Sequence, residues 1–577
     1  MNEAQQILKI LQENWGYPSF RKGQEDIILS VLSGKDTLAL MPTGGGKSIT
    51  FQVPALSKPG LCMVISPLLA LMKDQVQNLK RRGILASYVG SDMTRSSIIQ
   101  QLDNCILGDY KFLYLSPERI SSDIFLNKLP DLARKTNLLV VDEAHCISQW
   151  GNDFRPGYRL IADIRDAIPS APVLAVTASA TPTVSVDICE QLHFRKGYQL
   201  FRTPFDRKNL SFVIRQTENK EKELLHILSS VPGTAIIYCR SRDKTAYYAK
   251  FLKSNGINAA FFHAGLDTTS KNLRQQEWIE GRIRVLTATN AFGMGIDKGD
   301  VRLVVHTDFP DSLEAYYQEA GRAGRDGLRA YAVALIGTSD IGSIKKRPSQ
   351  TFPTLPYIKR VYEAICMRFQ LAEGFGEGQS GHFSIPEFLH DFHLDKSRLF
   401  AALQILSLSG YIKFEPYPNV PPFLLCQASK QEITPFLRSE SPASDIATLI
   451  FRTYEGLFSV GSFIDVNLLA HESGRSVEEI YKLLSYLRNV GFLYIPPRTE
   501  PKITFLTIRT ALDRLDIRRT AYEDRMEAFR QRIDKVIEYI ESPLCRQQLL
   551  SSYFGSTDTE PCEYCDNCLK NKRKKEA

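Results

Sequence analysis

Three short segments carry residues able to handle phosphate. Lys47 sits in Thr43-Gly44-Gly45-Gly46-Lys47-Ser48, directly after the apolar run 37–41. Glycines let the backbone approach a ligand closely, and a helix opening at such a loop adds N–H groups and partial positive charge. Lys47 would neutralise the β- and γ-phosphates of a nucleotide, and the Ser48 hydroxyl would hold Mg²⁺. The usual pattern begins with Gly, where this chain has Met41, followed by Pro42. Asp142 and Glu143 follow the apolar run 138–141, at the strand end where ligands bind in open α/β sheets. Asp142 would bind Mg²⁺ through water, and Glu143 would orient or deprotonate the attacking water. Arg322 and Arg325 close the segment Gln318-Glu319-Ala320-Gly321-Arg322-Ala323-Gly324-Arg325. Spaced one helical turn apart, they would share a face. An arginine held across a cleft from a γ-phosphate contributes roughly 10³–10⁵ in rate. Alone, these segments also have blander readings as a glycine turn, a polar strand end and a basic helix face. In this order they describe a nucleotide-driven motor with two lobes.

A second cluster is metal-like. Cys562, Cys565 and Cys568 form CxxCxxC, and Cys545 precedes them by 17 residues. Four thiolates at these spacings satisfy a closed tetrahedral zinc site, and an iron–sulfur cluster uses the same donors. The other seven of the eleven cysteines are scattered, as small buried hydrophobes are.

These residues need elements to hold them. From about residue 36 to 192, short apolar runs (37–41, 61–66, 111–116, 137–142, 172–177) alternate with helical stretches such as 68–82. The rhythm returns from about 233 to 337, with runs at 234–239, 284–289, 303–307 and 331–335. Alternating βα units predict two parallel sheets covered by helices, joined near 205–220. Residues 343–356 hold three prolines and no strong period, and read as a linker. Two winged-helix-like units follow. The first has helices at 385–392 and 397–407 and a hairpin of 411–415 with 423–427. The second has helices at 465–471 and 476–489 and a hairpin of 492–495 with 503–508. Residues 517–541 read as one long charged helix, and 570–575 as a disordered basic tail.

The chain has 577 residues, 43% hydrophobic and 24% charged, with a net charge of +8. That is ample for several packed cores, and its mild basicity permits nucleic-acid binding without requiring it. The N-terminal segment lacks the basic start and apolar core of a secretory signal, and no run reaches the length of a membrane span. The expectation is a soluble intracellular protein of the cytoplasm, nucleoid-associated if bacterial, with no membrane partner.

The motifs resemble superfamily-two helicases and, within them, the RecQ family of DNA helicases. Tyr17, Phe20, Arg21 and Gln24 look like that family's adenine-reading motif, and 66–75 is similar to its motif Ia. The run 146–156, with Trp150, Phe154 and Arg155, looks like its aromatic-rich loop; Asn152 stands where the family often has His. Thr177-Ala178-Ser179 resembles motif III, and 291–298 resembles motif V. The resemblance implies two RecA-like lobes and ATP hydrolysis coupled to 3′→5′ movement on single-stranded DNA. His145, Trp150, Phe154 and Arg155 would couple DNA contact to hydrolysis. Aromatic stacking is worth roughly 1–3 kcal/mol per base. The cysteine segment is similar to the family's zinc-binding segment, which favours Zn²⁺. It stands about 200 residues beyond the second lobe, where family members usually have it directly after. The resemblance also implies that this segment packs back on the second lobe.

The resulting division is an ATP-binding lobe at 1–205, a C-terminal lobe at 206–342, a linker at 343–356, winged-helix-like units at 357–515, a zinc-binding domain at 516–569 and a basic tail at 570–577. The expected activity is ATP-dependent unwinding of duplex DNA in recombination and repair. Single-stranded and forked DNA would be substrates, with single-strand-binding and repair proteins as partners. An ATP-driven translocase or RNA helicase, and a DNA-binding scaffold switched by ATP, are the rival expectations.

Overall fold

A computed structural model describes residues 2–42, 44–148, 156–203, 207–293, 298–416, 421–497, 500–556 and 560–576. The chain forms two units, one of Met1–Pro348 with Glu527–Ala577, the other of Ser349–Met526.

The first unit holds two parallel sheets. The first lobe contributes β1 (Thr37–Leu40), β2 (Leu61–Ile65), β3 (Ala86–Val89), β4 (Phe112–Leu115), β5 (Thr136–Asp142), β6 (Val173–Thr177) and β7 (Gln199–Arg202), in the order β3-β4-β2-β5-β6-β1-β7. The second contributes β8 (Leu210–Gln216), β9 (Thr234–Tyr238), β10 (Ala259–Phe262), β11 (Val285–Ala288), β12 (Val301–His306) and β13 (Ala330–Ile336), in the order β10-β11-β9-β12-β13-β8. Central strands such as β2, β4 and β6 are buried along their whole length. This is why they read as unbroken apolar runs. The strands not foreseen from the sequence, β3, β7, β8 and β10, are the four sheet edges. Accordingly the segment near 205–220 is not simply a joint, because β8 pairs in parallel with β13.

The C-terminal segment returns to this unit. Helices Glu523–Glu541 and Arg546–Tyr553 bring Tyr539, Leu550 and Phe554 into the core that also holds Phe309, Tyr316 and Tyr317 of the second lobe. The Tyr316 and Tyr539 rings lie 5.5 Å apart, and those of Tyr317 and Phe554 lie 5.2 Å apart. The expectation that the cysteine segment packs on the second lobe is met. Two readings of this region are corrected. The long helix begins at Glu523, after a short 3₁₀ turn at Arg519–Ala521. The basic tail is not a loose end: helix Asp566–Glu576 runs through it, with an acid in its first turn and its lysines beyond, as the helix dipole favours.

The linker reading of 343–356 is also corrected. Helix Thr338–Thr351 covers most of it and tolerates Pro348 inside, and helix Leu355–Arg368 starts with Pro356 in its first turn. Proline lacks an N–H, which a first helical turn does not need, so prolines here mark a helix start as well as a break.

In the second unit the four helices placed from the sequence are present, together with Lys430–Leu437 and Pro442–Thr453, which were not foreseen, but the hairpins do not form as expected. The strands are β14 (Ser380–His382), β15 (Ile412–Glu415), β16 (Phe423–Cys426), β17 (Ser462–Phe463), β18 (Phe492–Ile495) and β19 (Lys502–Phe505). β15 pairs antiparallel with β19, and β16 with β18. The sheets are β14-β19-β15 and β17-β16-β18. The second winged-helix-like unit is therefore nested between the two wing strands of the first. Each has its own core, one around Leu403, Ile412 and Phe505, the other around Leu424, Ile450 and Leu484.

Candidate functional site

β1 ends in the glycine loop. Gly44 and Gly46 take left-handed backbone with φ of 78° and 77°, which glycine adopts at no steric cost. A Cβ on Gly46 would lie 2.5 Å from Gln24 Nε2. The loop is held from the N-terminal segment: Gln24 Nε2 donates to the Gly45 and Gly46 carbonyls at 3.1 Å each, and Arg21 donates to the Gly44 carbonyl. Phe20 is half-buried against the small core of the first helices. The Gly45 N–H donates to the Pro42 carbonyl at 3.0 Å, so it turns back rather than into the cradle. Met41 is buried, and Ser48 precedes helix Ile49–Ser57.

β5 brings the carboxylates to this loop. Lys47 Nζ donates to Glu143 Oε1 at 3.1 Å. Glu143 sits just past the strand end with φ of 48°, a left-handed conformation uncommon for a side chain-bearing residue. Asp142 accepts from Ser66 Oγ at 3.2 Å and from the Glu143 N–H at 3.0 Å. Burial, partly offset by Lys47, pushes the Asp142 carboxyl up to about 6. Burial also opposes the Glu143 charge, yet Lys47, His145 and Arg322 outweigh it and hold that carboxyl below its ordinary value. Burial likewise opposes the Lys47 charge, and Glu143 and Asp142 raise its ammonium above the usual range. His145 is buried, with Nδ1 2.9 Å from Thr177 Oγ1 and 3.5 Å from Glu143 Oε2. It thus ties the Glu143 carboxylate to the end of β6.

The second lobe closes on the same place. Gln318 Nε2 donates to Ser179 Oγ, just past β6, at 2.7 Å. The stem of Arg325 lies against Gly44, where an added Cβ would meet its Cγ at 3.5 Å. Arg322 is buried, with Nη2 against Gly293. The two arginines are brought towards the glycine loop, but not by a helix. The helix Leu313–Ala320 stops before them, and Gly324 takes φ of 65°. The Gly324 N–H donates instead to the Val301 carbonyl at 2.8 Å. Gly321 still makes its helical bond to the Tyr317 carbonyl at 2.9 Å, and the left-handed turn at Gly324 then breaks the ladder that the spacing suggested. Ser66, Thr177 and Ser179 lie within motifs visible in the sequence, but their roles as supports emerge only from the packing. Thr43, Trp150, Asn152, Phe154, Arg155 and residues 294–297 of the motif V segment lie outside the described residues.

The sulfurs of Cys545, Cys562, Cys565 and Cys568 all lie within 4.8 Å of one another. Zn–S bonds of about 2.3 Å in a tetrahedron place sulfurs about 3.8 Å apart, so the four donors fit zinc. The N–H groups of Cys562, Cys565 and Cys568 point at the sulfurs of Cys545, Cys562 and Cys565 at 3.3, 3.3 and 3.4 Å, the hydrogen bonding that stabilises thiolates. Arg546 and Asp566 form a buried two-point ion pair at 3.1 and 3.2 Å that locks the helices flanking the cluster. The other seven cysteines are all buried, as their scatter suggested.

The DEAD/DEAH box helicase family matches residues 21–188 and the helicase conserved C-terminal domain matches 219–327. The RecQ zinc-binding family matches 507–569, and the RecQ helicase winged-helix domain of Bacteroidota matches 424–496. The chain is 40% identical over 339 residues to a probable ATP-dependent DNA helicase RecS of Bacillus subtilis, which covers 58% of this chain and 67% of that one. The chain belongs to the RecQ family of helicases. It is also 41% identical over 345 residues to the ATP-dependent DNA helicase RecQ of Haemophilus influenzae, across 60% of this chain and 55% of that one. The first RecQ relatives it matches are spanned over 55 to 61% of their length. Among solved structures, a DUF1998 helicase MrfA bound to DNA is 19% identical with a TM-score of 0.50, over 60% of this chain and 53% of that one, a likeness of fold alone. The winged-helix match of this RecQ-family chain falls on the nested unit, from β16 to β18. Among the described residues no helix is long and apolar enough to cross a membrane.

Proposed function

We propose that the chain is an ATP-dependent DNA helicase that moves 3′→5′ on single-stranded DNA and separates duplexes in recombination and repair, in the cytoplasm or on the nucleoid. The carrying observation is the convergence of Lys47, Glu143 and Arg325 on one loop from both lobes. Curated relatives named as DNA helicases support the substrate class. ATP would seat its phosphates on Gly44 to Ser48, with its base towards Phe20, Arg21 and Gln24. Ser48 and Asp142 would hold Mg²⁺, which offsets phosphate charge when bound.

Lys47 is shared between two partners. Paired with Glu143 at 3.1 Å, it occupies the carboxylate meant for water. A γ-phosphate draws Lys47 away, and Glu143 is then free to accept a proton from the attacking water. Its lowered proton affinity keeps it ionised for that role. Arg322 and Arg325 face the same phosphate from the second lobe, so lobe closure and hydrolysis are linked. His145, between Glu143 and Thr177, would pass DNA contact at Trp150, Phe154 and Arg155 to the carboxylate. The nested winged-helix-like unit would meet the duplex at a fork. Unwinding of duplexes with a 3′ or a 5′ single-stranded tail tests polarity: separation of the 3′-tailed substrate alone is expected, and separation of the 5′-tailed one alone contradicts it.

A further inference from the structure

The loop bearing Arg322 and Arg325 has left the helical ladder, and its carbonyls need other donors. Arg207, at the start of the second lobe, supplies them. Its Nη1 donates to the Gly321 carbonyl at 3.3 Å, and its Nη2 to the Ala323 and Gly324 carbonyls at 3.0 and 2.9 Å. Gly321 and Ala323 flank Arg322, and Gly324 precedes Arg325. Asn209 adds its Nδ2 to the Gly324 carbonyl at 2.7 Å and to the Leu328 carbonyl at 2.9 Å. A guanidinium is planar and presents several donors in a fixed fork, so one side chain can pin three carbonyls of a loop that its glycines leave free to move.

Arg207 is itself held from the cysteine cluster. Tyr564 lies between Cys562 and Cys565, and its hydroxyl donates to the Arg207 carbonyl at 3.0 Å. The Tyr564 carbonyl accepts from Ser211 Oγ on β8 at 3.3 Å. The Arg329 guanidinium covers the Tyr564 ring at 4.6 Å. A continuous set of contacts thus runs from the cysteine knuckle through Tyr564 and Arg207 to both arginines.

We propose that Arg207 is a positioning residue that aims Arg322 and Arg325 at the nucleotide, and that the cysteine knuckle sets Arg207 through Tyr564. This rests on the functional reading above, in which those arginines serve ATP hydrolysis. Arg207 acts through the loop and spends its donors on backbone, so its loss weakens the transition state more than the ground state.

The test uses the full chain with Arg207→Gln, Arg207→Lys and Tyr564→Phe. Four quantities are read: DNA-stimulated kcat, affinity for a non-hydrolysable ATP analogue, affinity for ADP with aluminium fluoride, and zinc per chain. For Arg207→Gln, kcat should fall roughly 10- to 100-fold, the range a misplaced group produces. The aluminium fluoride complex should weaken in step, while zinc content and binding of the ATP analogue hold. Arg207→Lys keeps the charge without the fork and should not restore kcat. Tyr564→Phe keeps the ring under Arg329, loses only its hydroxyl contact, and should lower kcat several-fold with zinc retained; it carries the test if Arg207→Gln fails to fold. Unchanged kcat in a folded variant, full rescue by lysine, or equal weakening of both analogues would overturn the inference alone. A parent that does not hydrolyse ATP would overturn the functional reading and this inference with it.

Discussion

At the scale of single residues, the account turns on Lys47 and Glu143, whose side chains meet at 3.1 Å. Glu143→Gln removes the proton acceptor but leaves Lys47, Ser48 and Asp142. The variant should bind ATP near the parent's affinity and lose roughly 10²- to 10⁴-fold in turnover, the range for a general base. Near-parental turnover would remove Glu143 from the mechanism. These residues were legible because their chemistry needs them at strand ends, and strand ends show as the limits of apolar runs. Arg322 and Arg325 were legible as a pair but not as a loop, because their spacing matches a helical turn. Gly324 between them, with φ of 65°, decides otherwise. Arg207 was not legible at all. It sits in no motif, and its partners are backbone carbonyls more than 110 residues away, which leave no trace in side-chain spacing.

At the scale of elements, the four strands hidden in the sequence are the four edges of the two sheets. An edge strand needs only a partial apolar face; β7, for instance, has no buried residue and too short an apolar run, Leu200-Phe201, to stand out. The nested wings were hidden for another reason: a hairpin is read from neighbours in sequence, and here the partner strand comes after a whole domain's worth of chain. The nesting makes a clean excision possible. Glu415 lies opposite Lys502 in the β15–β19 pair, so a two-residue Asn-Gly turn can replace 416–501. The excised variant should keep the first winged-helix core and ATPase stimulated by single strands, while binding and unwinding of forked duplexes weaken. Undiminished fork unwinding by the folded variant would assign the nested unit to protein docking. The cysteine knuckle makes its own prediction. One zinc per chain is expected by elemental analysis, and Cys565→Ser should lose it. Structural zinc contributes roughly 10–16 kcal/mol of apparent binding energy in small peptides, so helices 546–553 and 566–576 should loosen as well. Iron, or no metal, in the parent would contradict this.

At the scale of the whole molecule, the first unit gathers the glycine loop, both lobes and the cysteine knuckle although some 180 residues interrupt it. The knuckle returns because its aromatic residues, Tyr539, Tyr553 and Phe554, have partners on the second lobe; Tyr553 Oη donates to Glu314 Oε1 at 2.8 Å. An insertion costs such a unit little, since loop-closure entropy grows only with the logarithm of loop length. The order of motifs, two lobes before a cysteine cluster, was legible from the sequence; the return of the last segment was legible only through family resemblance. The central claim is that ATP hydrolysis in this unit is coupled to DNA. Steady-state ATP hydrolysis measured with and without single-stranded DNA tests it most directly. The account predicts slow turnover alone and a rise in kcat of at least roughly tenfold with DNA, in line with a catalytic group brought into position by binding. Turnover that is the same with and without DNA would contradict it.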